Sequence, residues 1–341
     1  MKILSCTSYY YYGQTRGVEP QFYYLYKVPQ ARGHQVDFFD WLTAARVGPE
    51  QLSRAFLAMV RGGGYDAVFV ATHRDEFSQE TLAEAGRHCP IIAWNSDDEW
   101  RWASYSQPRA AWYTFMVTNS PEVYAQHKAA HPNLLHAQWA CTGFWDGRAA
   151  TKDIDFSFVG QVYGSRAAQI GWLARRAGLK TYGKGTRTYL FDEPRPASPL
   201  KRARRAVQQN VLKYALPTLA DELSTISFEQ VNALWNRSKI SFTPLDSSQQ
   251  NVRQIKSRVF DMGLSGTLML AHRAPSLDTY YEPGKEYIPF ETLEECAELA
   301  RFYLKNEPAR AKIAAAYARR TEAEHMWHQR IDHVLQAAGL A

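Results

Sequence analysis

The 341 residues predict an α/β fold made of two doubly wound halves, and three observations carry that prediction. The chain is longer than one hydrophobic core usually serves, so two domains of about 150 residues each are expected. Short apolar runs alternate with segments of helical length, the pattern of parallel sheets joined by right-handed crossovers. The alternation also restarts at DFSFVG (residues 155–160), after a polar stretch that follows Cys141.

In the first half, MKILSCTS reads as an apolar strand, QVDFFDW as a second after the turn Arg32-Gly33-His34, and DAVFVAT as a third after Gly62 to Gly64. CPIIAWNSD, WYTFMVTNS and LLHAQWAC continue the series. Ser120-Pro121 is an N-cap followed by proline at the first helical position. The domain should end between Cys141 and Asp153. Tyr23, Tyr24 and Tyr26 read as core or interface.

In the second half, DFSFVG is a strand, residues 165–178 a helix and TYGKGT a glycine-rich turn. Residues 186–225 hold three prolines before Leu200 and a basic run after it, and read as an insertion. Ser227 with Gln230, and Thr292 with Glu295, form capping boxes that fix two later helix starts. From Pro308 onward the chain is Ala- and Arg-rich and predicted helical throughout.

No run of eighteen apolar residues occurs, and MKILSCTS lacks the layout of a signal peptide, so a soluble cytoplasmic protein is expected. Cys6, Cys89, Cys141 and Cys296 have no paired spacing and read as free thiols. The net charge of +6 calls for an anionic partner. Its densest source is Lys201, Arg202, Arg204 and Arg205. That run is either a solvated face or a surface for peripheral contact with an anionic membrane or a lipid-linked acceptor; no nucleic-acid module accompanies it.

The chemistry concentrates in residues 251–290. Lys256 and Arg258 stand at a predicted helix start, where free N–H groups and the helix dipole favour a diphosphate. Asp261 follows one turn on, suited to accept from ribose hydroxyls, and Gly263 and Gly266 stop the helix before the apolar strand 267–271. Singly these are ordinary surface residues; in this order they suit a sugar nucleotide. Asp153 and Asp155 have D-x-D spacing but sit at a strand entrance and read as surface acids, so no metal or other cofactor is expected.

Residues 226–330 resemble the C-terminal half of the CgeB-like, or spore-protein-like, glycosyltransferases of the GT-B fold. The likeness rests on SFEQVNALWNRS, KISFTPL, RVFDMGLSGTLML, YEPGKEYIPF and the block from TLEECAELARFYL to HQRI, with a second match at DFSFVGQVYGSR. The resemblance implies GT-B architecture: two Rossmann-like domains facing a central cleft, with a C-terminal helix crossing back to the first. Residues 1–150 would bind the acceptor, 151–320 the nucleotide sugar, and 321–341 would form the returning helix. It further implies a hexosyltransferase of polysaccharide or glycoconjugate biosynthesis, acting on a glycan, lipid-linked or small-molecule acceptor. Donor contacts fall to Gly160, Gly164, Arg166, Arg253, Lys256, Arg258 and Asp261. The family carries Glu at the position of Asp261, and its retaining members another Glu where Arg253 stands, so the present chain lacks the latter group. An inverting route needs a general base from the first domain. Asp97 is the first choice, with Asp98 and with His73 beside Asp75 as the others, all after apolar strands. Tyr9, Tyr10, Tyr11, Tyr12 and Gly13, after the first strand, are placed to stack on an acceptor. A non-catalytic nucleotide-binding or coat-associated protein and a sugar-nucleotide epimerase of the same fold are the alternatives.

Overall fold

The computed structural model describes residues 1–10, 17–162, 165–183, 226–247, 249 and 252–340. The chain divides into two compact units, one built from described residues in 1–10, 18–143 and 321–340, the other from described residues in 144–320.

The first unit is organised by β1 (Lys2–Thr7), β2 (Gln35–Asp40), β3 (Ala67–Val70), β4 (Ile91–Trp94), β5 (Phe115–Thr118) and β6 (Leu134–His136). They form one parallel sheet in the order β2-β1-β3-β4-β5-β6. Every residue of β3 and β4 is buried, as expected of parallel strands covered on both faces. The crossovers include α1 (Pro49–Gly63), α2 (Gln79–Gly86), the one-turn α3 (Asp98–Arg101) and α4 (Pro121–His127). Leu52, Phe56 and Val60 recur at helical spacing and bury α1, while Gly64 at φ 60° ends it. Ser120 Oγ accepts the Val123 N–H at 3.3 Å, the cap expected there.

The second unit holds β7 (Ile154–Val159), β8 (Lys180–Tyr182), β9 (Ser238–Thr243), β10 (Leu268–His272) and β11 (Ile288–Phe290), parallel in the order β11-β10-β9-β7-β8. Its helices are α5 (Arg166–Ala177), α6 (Phe228–Arg237), the one-turn α7 (Arg258–Asp261), α8 (Leu293–Lys305) and α9 (Glu307–Glu324). Phe156, Phe158, Ile240, Phe242, Leu268 and Leu270 alternate along three strands to make its core. Ser227 and Gln230 form the reciprocal box at the start of α6. At α8 only half of the box forms: Thr292 accepts from Glu295 N–H, whereas the Glu295 carboxylate takes the Glu291 N–H.

Three local expectations are corrected. TYGKGT does not begin as a turn: Thr181 and Tyr182 are buried in β8, paired with β7, and the turn letters begin at Gly183. YEPGKEYIPF, which its Pro-Gly pair marks in sequence as a turn, ends in β11, whose Ile288 and Phe290 are buried beside β10. The terminal helix is not continuous. It breaks after Glu324 and resumes as α10 (Trp327–Ala337), because Cys141 takes over the backbone bonds: its N–H donates to His325 C=O at 2.8 Å and its C=O accepts the Trp327 N–H at 2.9 Å. The chain returns to the first unit within α9, after Arg320, and Trp327 of α10 stacks on Tyr24 at 4.5 Å.

All four cysteines are free and buried. Among the described residues no helix is long and apolar enough to cross a membrane.

Candidate functional site

In open α/β sheets ligands gather outside the carboxyl ends of the strands, especially where the strand order reverses. In the second unit that point lies between β7 and β9.

The geometry there centres on Gly160 and Arg258. Gly160 follows β7 with φ 145°, and a Cβ added to it would meet the Arg258 Nη2 at 3.0 Å and Nη1 at 3.2 Å. Gly183, after β8, has φ 119°, and its own Cβ would strike the Gly160 carbonyl oxygen at 2.6 Å. Two positions with no side chain thus let β7, β8 and the guanidinium pack closely, and the Gly160 N–H donates to Tyr182 C=O at 2.9 Å. That guanidinium donates to Val159 C=O at 3.4 Å, and its carbon lies 5.2 Å from the Phe158 ring centroid. The turn that carries it is anchored from behind. Val259 and Phe260 are fully buried, the Tyr317 hydroxyl donates to Val259 C=O, and Phe260 packs edge-on to Tyr280. Asp261, also buried, shares this turn, and Lys256 stands half-buried just before it.

The expected helix dipole is a minor contributor. α7 is only four residues long, too short to sum many peptide dipoles, so side chains dominate the electrostatics here.

Arg166 and Arg253 meet at Asp246, a residue that sequence reading missed. Asp246, in the loop after β9, accepts from Gln169 Nε2 at 2.9 Å and lies 4.0 Å from Arg253 Nε, while its C=O accepts from the fully buried Arg166. Arg166 Nη1 also donates to Gln161 C=O at 3.5 Å, and Arg253 Nη1 to Arg273 C=O at 3.3 Å. His272, at the end of β10, accepts the Leu245 N–H on Nδ1. Burial lowers its pKa, opposed by Asp246 and assisted by Arg253 and Arg166. Asp246 and His272 each sit just after or at the end of an apolar strand, which is the signal that marks them.

In the first unit, Tyr9 is half-buried. Its ring lies 4.8 Å from Tyr10 and 4.9 Å from Phe22, both edge-on, and its N–H donates to Asp40. Tyr11, Tyr12, Gly13, Gly164, the basic residues Lys201, Arg202, Arg204 and Arg205, and the insertion at 186–225 lie outside the described residues.

Of the base candidates, Asp97 starts α3 and is the one described non-glycine residue with positive φ, 62°. Asp98 points inward, 1% exposed, and accepts from Ser106 Oγ at 2.5 Å. Its pKa is raised by burial first and by Asp97 least, so burial rather than the paired acid sets it. His73 lies edge-on to Trp41 at 5.3 Å, and burial and Arg101 lower its pKa. Asp75 is held low by its bond to Arg109. Among the described residues no group of three or more His, Cys, Asp or Glu is arranged to hold a metal ion.

Residues 198–336 match the family model described as glycosyl transferase-like. No curated protein sequence matches the chain. Solved structures match over its whole length. The Anabaena protein HepE in complex with UDP-glucose is 12% identical, with all of both chains covered and a TM-score of 0.57. Sucrose-phosphate synthase from Thermosynechococcus elongatus is 13% identical, covering 100% of this chain and 98% of that one, with a TM-score of 0.58. An alpha-glucosyltransferase in complex with UDP-glucose and DNA containing an abasic site is 9% identical over 99% of each chain, with a TM-score of 0.63. At these identities the likeness is one of fold. Two parallel α/β sheets matching these structures make the architecture GT-B, and the family match together with that fold supports a glycosyltransferase.

Proposed function

We propose that this chain transfers a sugar from a nucleoside diphosphate sugar to an acceptor hydroxyl, with the donor diphosphate held at the carboxyl end of β7. The observation that carries the reading is the Arg258 guanidinium packed on Gly160 at the end of β7, where the missing Cβ makes room for it. A planar guanidinium pairs bidentately with phosphate oxygens. Asp261, on the same turn, is the ribose ligand, and Lys256 adds positive charge.

Transfer breaks the bond between the anomeric carbon and the diphosphate oxygen, and negative charge grows on the leaving group. Arg258 and Lys256 stabilise that charge without a divalent ion. The acceptor hydroxyl attacks the anomeric carbon and gives up its proton to a base. His73 is the first of the three candidates to test, since burial and Arg101 lower its pKa and favour the neutral imidazole that can take a proton. Asp98 is committed to Ser106. HepE was solved with UDP-glucose, which makes UDP the first donor base to try.

The test is a thermal-shift screen against UDP, GDP, ADP, CDP and dTDP and their common sugars, with and without EDTA. The reading predicts a selective rise of a few degrees that EDTA leaves intact, as expected for ligand at about 100 times its Kd. No shift with any nucleotide contradicts it. A shift abolished by EDTA retains the transferase and removes the metal independence. Conversion of the donor with no acceptor present marks an epimerase instead.

A further inference from the structure

Asp246 is fastened to the loop that follows β7. The guanidinium of the fully buried Arg166 donates through Nη1 to Gln161 C=O at 3.5 Å and through Nη2 to Asp246 C=O. Gln161 follows Gly160 directly, so one guanidinium sets Asp246 beside the strand end where the diphosphate is placed. On its other flank β7 is closed. The Gly160 N–H donates to Tyr182 C=O at 2.9 Å, and a Cβ on Gly183 would stand 2.6 Å from the Gly160 carbonyl oxygen. With the diphosphate at β7 and the ribose at Asp261, the side left for the sugar is the one toward β9, where the strand order reverses. Asp246 stands on that side.

Its backbone is fixed. Leu245 C=O accepts the Gln254 N–H at 3.0 Å and the Ser247 N–H donates to Val252 C=O at 2.8 Å, so Asp246 pairs antiparallel with Arg253. Its carboxylate keeps acceptor capacity. A carboxylate has about four acceptor sites, and among the described residues one side-chain hydrogen bond reaches this one, from Gln169 Nε2 at 2.9 Å. Arg253 Nε, at 4.0 Å, is too far for a hydrogen bond, and the Asp246 side chain is 23% exposed. His272 supplies a donor. Its Nδ1 accepts the Leu245 N–H at 3.4 Å, so the neutral ring carries its proton on Nε2. Asp246 is near enough to act on the charge of that ring. A carboxylate disfavours further phosphate on this flank, whereas a sugar hydroxyl, which both donates and accepts, suits an acceptor and a donor held together.

We propose that Asp246 determines donor specificity by accepting from hydroxyls of the transferred sugar, with the His272 Nε2–H as the partner donor. The assignment rests on the transferase reading and deepens it by naming the residues that read the sugar.

Titration calorimetry gives Kd for UDP, UDP-glucose, UDP-galactose, UDP-N-acetylglucosamine, GDP and GDP-mannose on the wild type, Asp246→Asn and His272→Asn, with melting temperatures alongside. Asp246→Asn keeps an oxygen for the Gln169 carboxamide and removes the charge; His272→Asn keeps an acceptor near the Nδ1 position and removes the Nε2–H. The expected result is a ratio of sugar-conjugate Kd to bare-diphosphate Kd that rises about tenfold in Asp246→Asn and about threefold in His272→Asn. Affinity for the bare diphosphate should be unchanged or raised in Asp246→Asn, because a nearby negative charge is gone. A ratio that stays constant in both variants overturns the inference. So does a joint fall in bare-diphosphate affinity and melting temperature, which marks Asp246 as structural, or a wild type that binds UDP or GDP and none of the sugar conjugates. Where Asp246→Asn does not fold, the ratio in His272→Asn decides. A wild type that binds none of the six defeats the transferase reading and the inference with it.

Discussion

At the carboxyl ends of β7 and β8, two glycines let one arginine and the two strands pack closely; at those of β4 to β6, the rings of Trp94, Trp139 and Trp327 pack together near Asn119. Both sheets are parallel and doubly wound, so the winding does not account for the difference. In the second unit Arg166, Gln169 and Arg253 all reach Asp246 or nearby carbonyls. Buried polar atoms without a partner occur in both units, among them the Asn119 carboxamide in the first and Thr243 Oγ1 in the second. Similar sheets thus present different side chains at their carboxyl ends, set by the handful of residues just past their strands.

The largest expected effect is on the glycine pair. Gly183→Ala combines φ 119° with a Cβ only 2.6 Å from a backbone oxygen, which cannot move aside as a side-chain tip can. Denaturant unfolding should show a loss of about 3–5 kcal/mol. Gly178→Ala, at φ 70° with nothing within 4 Å, should lose only about 1–2 kcal/mol. Equal losses would show that the approach of Gly183 to Gly160 is not what requires glycine.

The next effect probes the first unit. Glu19 of the first unit is 4% exposed, its Oε2 has no partner, and burial raises its pKa from 4.5 to about 8. The folded chain therefore holds a proton between pH 4.5 and 8 that the unfolded chain releases, so this residue's contribution to stability falls as pH rises through that window. Glu19→Gln should be stabilising by about 2–3 kcal/mol at pH 8 and near neutral at pH 4.5, read as melting temperature against pH. A constant difference across that range would mean that Glu19 is ionised within the fold.

A smaller effect concerns His73. A lowered pKa keeps it neutral, so transfer should fall on acidification only below the ordinary histidine range, with an apparent pKa under 6.5 in kcat/KM. His73→Gln should abolish that limb of the profile. An acid limb unchanged in the variant would direct attention to Asp97.

Much of the fold is legible in the residues themselves. The apolar runs at β1, β3, β4, β5, β7, β9 and β10 are strands in the structure, and Ser120 and Ser227 cap helices as their spacing requires. β8 and β11 are obscured because both are short and adjoin Gly183 or Pro283-Gly284, whose turn signal outweighs three strand residues. The break before α10 depends on Cys141, a partner remote in sequence, so no local pattern encodes it. At the sites the same rule holds. That Arg258 and Asp261 share one turn was legible in their spacing, and the structure sets Arg258 against Gly160. The contacts of Arg166 and Arg253 were not, since Asp246 is the residue that collects them. Nor was the meeting of Trp94 with Trp327, because the two are remote in sequence.

The central claim is that the Gly160–Arg258 pair binds the donor diphosphate. Isothermal titration calorimetry of UDP into the wild type and Arg258→Ala tests it most directly. Loss of one charge-assisted hydrogen-bonding group predicts affinity lower by about 1.5–3 kcal/mol, roughly ten- to a hundredfold or somewhat more, with the melting temperature little changed. Equal affinity in the two proteins, or no UDP binding by a folded wild type in a screen where no other diphosphate binds either, would contradict the account.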